Sequence, residues 1–165
     1  MAGISKSEKA ELLRNSVLAV ELTGDQCNVL ADLITVHDFA DGEVIVDEGK
    51  TDNRLHVIVN GAIAVSKYNQ ATKEWLNLYV MTRGDLVGEL AFMDDRPHYA
   101  ALRAVGVTRT FSLEREKLES LLAREPWIVY RVMRAIFRVV HSLLHRMGAQ
   151  HAELTSYIYR AQAKY

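Results

Sequence analysis

The residues with most chemistry to offer sit in one stretch, Gly84 to Ala104, reading GDLVGELAFMDDRPHYAALRA. It holds two glycines, a lone glutamate in an apolar run, an acidic turn, a proline and a strand-like tail. So many turn formers together are more than packing asks for. The core of the stretch, Gly88-Glu89-Leu90-Ala91, is short, and backbone N–H groups just after a glycine are well placed to face an anion. The expectation is a ligand pocket.

No catalytic set accompanies it. His37, His56, His98 and His151 are scattered, and Ser142 and His141 occupy adjacent helix positions that point apart. His141 and His145 offer a His-x-x-x-His pair, but two ligands with no third make a poor metal site. They share a face with Arg131, Arg134 and Arg138, a stripe that reads as a solvated helix surface. The expectation is therefore no enzyme and no metal. One cysteine, Cys27, excludes a disulfide framework, a four-cysteine cluster and a zinc finger. A net charge of −1 over 165 residues supplies no field to recruit DNA or an anionic membrane. The N-terminus turns polar at once and no segment reaches membrane-spanning length, so a cytoplasmic protein is expected.

The elements that must position the stretch are legible from periodicity. Residues 5–22 carry Leu12, Leu13, Val17 and Leu18 at helical spacing, with Ser5 or Ser7 as cap, and Asp25 can cap a second short helix. From Thr35 to Leu113 seven strand-like runs alternate with turns such as Asp41-Gly42, Glu48-Gly49, Asp52-Asn53 and Arg83-Gly84. Asn60-Gly61 predicts a two-residue hairpin, because both positions of that turn need positive φ. Strands at this spacing imply a sandwich, roll or barrel. Ser112 reads as the cap of a later helix, and Pro126 opens a long one running to about Tyr159.

On that long helix Val129, Met133, Ile136, Val140, Leu143, Met147, Gln150, Leu154 and Tyr157 follow steps of four and three, a heptad seam. Tyr130, Val132, Phe137, Val139 and Leu144 flank it, so the apolar face is wide enough for one part to pack on the β-region and another on a second copy. A homodimer through residues 126–157 is expected. Residues 1–124 then form the β-rich unit with its N-terminal helices and short following helix, and 125–165 the helix and tail.

Three stretches in order resemble the cyclic-nucleotide-binding domain family: Phe39 to Gly49 (FADGEVIVDEG), Leu55 to Val65 (LHVIVNGAIAV) and Gly84 to Ala91 (GDLVGELA). The resemblance covers roughly residues 10 to 148. It implies a mainly β fold with flanking helices: a β-roll or double-stranded β-helix, jelly-roll-like, with N-terminal helices and a long C-terminal helix. It also implies that Gly84–Ala91 opens a phosphate-binding cassette. Glu89 would accept a hydrogen bond from a ribose 2′-hydroxyl, and the Leu90 and Ala91 amides would face a cyclic phosphate.

The family continues D-R-P-R-S/T-A, whereas this chain reads Asp95-Arg96-Pro97-His98-Tyr99-Ala100. His98 stands at the arginine position and Tyr99 at the hydroxyl position. A neutral imidazole cannot make the bidentate bond of a guanidinium. Protonated His98 would partly replace it, and Arg96 shares its side of an extended segment. Positions of the long helix that meet the base in activator-like members fall near Leu143 and Leu144, both apolar.

The expected site is thus Gly88, Glu89, Leu90, Ala91, His98 and Tyr99, with cAMP or cGMP as the possible ligand. The expected role is a stand-alone regulatory or sensory domain signalling through its long helix to an unidentified protein partner, without DNA binding by this chain alone. The alternative is a degenerate domain that no longer binds cyclic nucleotide and serves as a dimeric scaffold.

Overall fold

The structure, a computed structural model, describes residues 4–162, with the side chains at 150, 151, 154 and 160–162 outside the description. Ser5 starts α1 (Lys6–Arg14) through a capping box: its hydroxyl accepts from the Glu8 amide, and the Glu8 carboxylate accepts from the Ser5 amide at 2.8 Å. A short 3₁₀ turn, Val17–Ala19, follows. The second helix, α2 (Gly24–Ala31), is capped by Thr23 paired with Gln26 rather than by Asp25. Asp25 falls instead in the first turn, where its charge suits the helix dipole.

Among the described residues six strands follow: β1 (Ile34–Phe39), β2 (Val44–Val46), β3 (Arg54–Asn69), β4 (Glu74–Thr82), β5 (Leu86–Val87) and β6 (Ala101–Glu114). They form one antiparallel sheet, β1-β6-β3-β4, with β2 added to β6 and β5 to β3. Mainly antiparallel β with N-terminal helices and a long C-terminal helix is the class expected.

Asn60-Gly61 does not close a hairpin. β3 runs through it as a single strand, paired with β6 from Arg54↔Glu114 to Ser66↔Ala101. The register shifts on both sides of Asn60, so the dipeptide is a bulge that bends the strand. Gly61 has φ +80°, and the Thr108 hydroxyl staples the bend by accepting from the Ala62 amide and donating to the Ala62 carbonyl at 2.9 Å. β6 likewise joins two of the expected runs across Gly106. It continues past Ser112 to Glu114, so α4 (Arg115–Glu119) begins later than a Ser112 cap implies. Ser112 is instead buried in the sheet and bonded to His37 at 2.8 Å.

α5 (Pro126–Gln162) begins at the expected proline and continues through Gly148. Its first half packs on the main core: Ile128, Val129, Val132 and Ile136 join Leu30, Leu55, Phe92 and Phe111 in one buried cluster. Each of these buried aliphatic side chains stabilises that docking by about 1.5–3 kcal/mol. The heptad seam is therefore divided. Val129 and Ile136 face the core, Met133 and Val140 pack against it, and Met147 and Tyr157 are exposed. Gln150 and Leu154 lie outside the described side chains. Among the described residues no helix is long and apolar enough to cross a membrane.

Val46, Ile58, Ile63, Val65, Val87, Ala100 and Leu102 form a second, separate buried cluster. A Cβ at Gly61 would come within 2.6 Å of the Val107 carbonyl oxygen and 2.8 Å of the Thr108 Cα, both backbone. Gly61→Ala should therefore lose roughly 2–5 kcal/mol from positive φ and overpacking together. Urea unfolding checks it, and an unchanged midpoint would remove the bulge from its structural role.

Candidate ligand-binding site

β5 is only two residues long because Gly88 turns the chain at once. Val87 pairs with His56 of β3, and Gly88 then adopts φ +86° as the N-cap of α3 (Glu89–Asp94). A Cβ at Gly88 would lie 2.9 Å from the Arg54 carbonyl oxygen, so the turn needs glycine for closeness as well as for φ. Ala91 and Phe92 anchor α3 in the interior. The amides of the first helical turn, Leu90 and Ala91 included, have no intrahelical acceptor. Asp95 ends α3 in the left-handed region and forms an ion pair with Arg115 at the start of α4.

The segment after α3 is pinned from the opposite side. The His98 amide donates to the Lys50 carbonyl at 2.8 Å, and the Gly49 amide donates to the His98 carbonyl at 2.7 Å. Gly88, Glu89, Leu90, Ala91, His98 and Tyr99 consequently line one cavity of about 370 Å³. All six expected residues come together. Ala91 is buried, Gly88, Glu89 and His98 are half-buried, and Leu90 and Tyr99 stand exposed at the rim. Val65, Met81, Val87, Ala100 and Leu102 complete an apolar floor. Leu143 and Leu144 do not line this cavity.

Sequence reasoning missed Tyr79. It reaches in from β4, two residues from Met81 and so on the same face of the strand, and its hydroxyl lies 2.8 Å from that of Tyr99. Alternation could have placed Tyr79 and Met81 together, but nothing local says which face meets the cavity. Arg96 also lines the site. Its backbone N–H donates to Asp94 at 3.2 Å and its guanidinium pairs with the same carboxylate at 3.1 Å, leaving the side chain exposed. Among the lining residues it is the one arginine, and no lysine joins it.

The electrostatics follow from burial. Desolvation raises the Glu89 carboxyl above its ordinary 4.5, opposed only by a hydrogen bond from its own backbone amide, and no cation contributes to the shift. Desolvation lowers the His98 imidazole below 6.5 with help from His56, while Asp52 opposes the shift. His98 Nε2 is buried with no hydrogen-bond partner. Burial, the Tyr99 hydroxyl and the Glu89 charge all push the Tyr79 phenol up. The site thus holds a reluctant carboxylate, an imidazole that burial disfavours charging and a hydrogen-bonded pair of phenols: acceptors and donors for a polar ligand, with cationic charge only at the rim.

Residues 36–125 match the family model described as the cyclic nucleotide-binding domain. The chain belongs to that family. It is 32% identical over 95 residues to a cAMP-dependent protein kinase regulatory subunit of Dictyostelium discoideum, a match covering 56% of this chain and 29% of that protein. It is 29% identical over 101 residues to a CRP-like cAMP-activated global transcriptional regulator of Mycobacterium tuberculosis, covering 61% of this chain and 45% of the regulator. The chain thus spans less than half the length of either relative. In fold it resembles a cyclic nucleotide-binding domain from Methylobacillus flagellatus, with TM-score 0.76 and 19% identity, covering 88% of this chain and 83% of that one.

A raised Glu89 pKa means that the folded protein holds this proton more tightly than the unfolded chain. Ionised Glu89 therefore costs stability at neutral pH, and the cost disappears as pH falls through the raised value. Glu89→Gln should unfold at a higher temperature than the parent near pH 7, with the gap closing toward about pH 4. Thermal scans across that range test it; a variant less stable at neutral pH would show that Glu89 has a stabilising partner.

Proposed function

We propose that this chain is a regulatory domain without catalysis of its own, binding a nucleotide-like ligand in the cavity between α3, β4 and the His98 segment. The observation that carries this reading is the convergence of Gly88, Glu89, Leu90, Ala91, His98 and Tyr99 on one cavity of ligand-holding size. Glu89 accepts from the ribose hydroxyl, the Leu90 and Ala91 amides face the phosphate, and His98 with Tyr99 stand where the family places its arginine and hydroxyl. The domain works as a cytoplasmic homodimer through α5. Residues 1–124 hold the ligand, and residues 125–165, the long helix and tail, pass the signal to a protein partner, with no DNA bound by this chain alone.

His98 sets the ligand's charge preference. Its imidazole is held neutral by burial, so an anionic ligand gains a charged partner only when His98 takes up a proton. Titration calorimetry with cAMP and cGMP should show tighter binding near pH 6 than near pH 8. The absence of heat at both would remove these ligands. His98→Arg should strengthen binding by roughly tenfold or more, the worth of one charge-assisted bond to a phosphate. Unchanged affinity would place the phosphate elsewhere.

A second reading has its own observation. The Tyr79 and Tyr99 hydroxyls satisfy each other, and the guanidinium at the rim is already paired with Asp94. A domain that has given up cyclic nucleotide would show this self-sufficiency and act as a dimeric scaffold through α5. Nucleotide carried through purification would exclude it. Light scattering should show a dimer; a monomer at high concentration would remove α5 from both readings.

A further inference from the structure

Two side chains on α5 take no part in the cavity. His141 and His145, at i and i+4, are exposed with ring centroids 5.0 Å apart in an edge-to-face arrangement. Phe137 stacks on His141 at 6.4 Å. Neither imidazole has a hydrogen-bond or ion-pair partner among the described residues. Both nitrogens of each ring are therefore available to a ligand.

The pair does not sit on an ordinary polar face. Tyr130, Phe137 and Leu144 are seven residues apart and 52%, 68% and 62% exposed. His141 falls four residues after Phe137 and three before Leu144, in the heptad register of that stripe. This stripe is distinct from the inner one, whose Val129 and Ile136 are spent on the core. The cations of the same face are engaged elsewhere: Arg134 pairs with Glu21 at 3.5 Å, Arg138 with the same carboxylate, and Arg131 donates to Gln26 at 2.6 Å. They are drawn to the flank where the N-terminal helices lie, which leaves Phe137, His141 and Leu144 uncovered.

Two imidazoles one turn apart on a helix make a bidentate chelate for a divalent transition metal, as in helical His-x-x-x-His zinc sites. Zinc takes four ligands in tetrahedral array. Among the described residues no group of three or more His, Cys, Asp or Glu could complete such a set within one chain. A second copy, packed about a two-fold axis along the same stripe, presents the identical pair at the same level. Two plus two completes the tetrahedron, and Phe137 and Leu144 of both copies shield it. We infer that His141 and His145 are half of a divalent transition-metal site, completed by the same pair from a second copy, that clasps two α5 helices together.

This inference rests on the α5 dimer proposed above and adds the chemistry that holds it. The metal would couple dimer assembly, and with it the signalling helix, to zinc availability.

The test uses the full chain without an affinity tag, stripped with a chelator and titrated with Zn²⁺ alone under calorimetry and light scattering. Co²⁺ in a parallel titration reports geometry through its visible spectrum. The expected result is one metal per two chains, a tetrahedral cobalt spectrum, and a dimer that tightens with metal. His141→Ala and His145→Ala should each lose that uptake while keeping the parent's circular dichroism and thermal midpoint. Uptake unaffected by either variant, or one metal per chain, overturns the bridged site. A dimer that persists in chelator and takes up no zinc overturns the metal and leaves the α5 dimer standing. A chain that stays monomeric with zinc present overturns both.

Discussion

The pairing of β3 with β6 is the interaction on which the rest depends. From Arg54↔Glu114 to Ser66↔Ala101 two long strands run side by side, each bent near its middle, at Gly61 in one and Gly106 in the other. β1 and β2 attach to β6; β4 and β5 attach to β3. The bend separates the two apolar clusters, one facing the helices and one flooring the cavity. Thr108 holds the bend by bonding both the amide and the carbonyl of Ala62.

The cavity is a second consequence of the same pair. Gly88 passes so close to the Arg54 carbonyl that no side chain fits between them, which fixes where α3 starts. Asp95 with Arg115 at one end, and the two backbone bonds between His98 and the Lys50–Gly49 segment at the other, fix where the following segment lies. Glu89 and His98 therefore face the same space from different stretches of chain. The cost of that placement is electrostatic. A carboxylate and an imidazole are held where water is scarce and no cation balances the carboxylate.

Several residues show what was legible and what was not. Gly88-Glu89-Leu90-Ala91 could be singled out because a glycine and a carboxylate inside an apolar run violate the local pattern, and the fold keeps them for the cavity. Ser5 and Pro126 were legible because their effects reach only three or four residues. Asn60-Gly61 misled because its positive φ serves a hairpin and a bulge equally well; the choice belongs to the partner strand, which carries the matching irregularity 46 residues away. Ser112 failed as a cap because its hydroxyl met His37 across the sheet first. Tyr79 was invisible because its partner, Tyr99, lies on another element.

What the sequence determined by itself was local: the starts of α1 and α5, most of the strand runs, and the Gly88-Glu89-Leu90-Ala91 turn, while the family resemblance added His98 and Tyr99. The local features depend on φ preferences, periodicity and side-chain chemistry over a few residues. Only the tertiary structure decided which face of α5 is used up on the core and which stays open, that the hairpin is a bend, and that Arg96 is tethered to Asp94 at the rim. Burial and pairing between distant segments settle such matters, because apolar area is removed from water only where two elements meet. The same division governs charge: Glu89 and His98 could be named from sequence, but their shifted proton affinities come from desolvation, which exists only once the chain has closed around them.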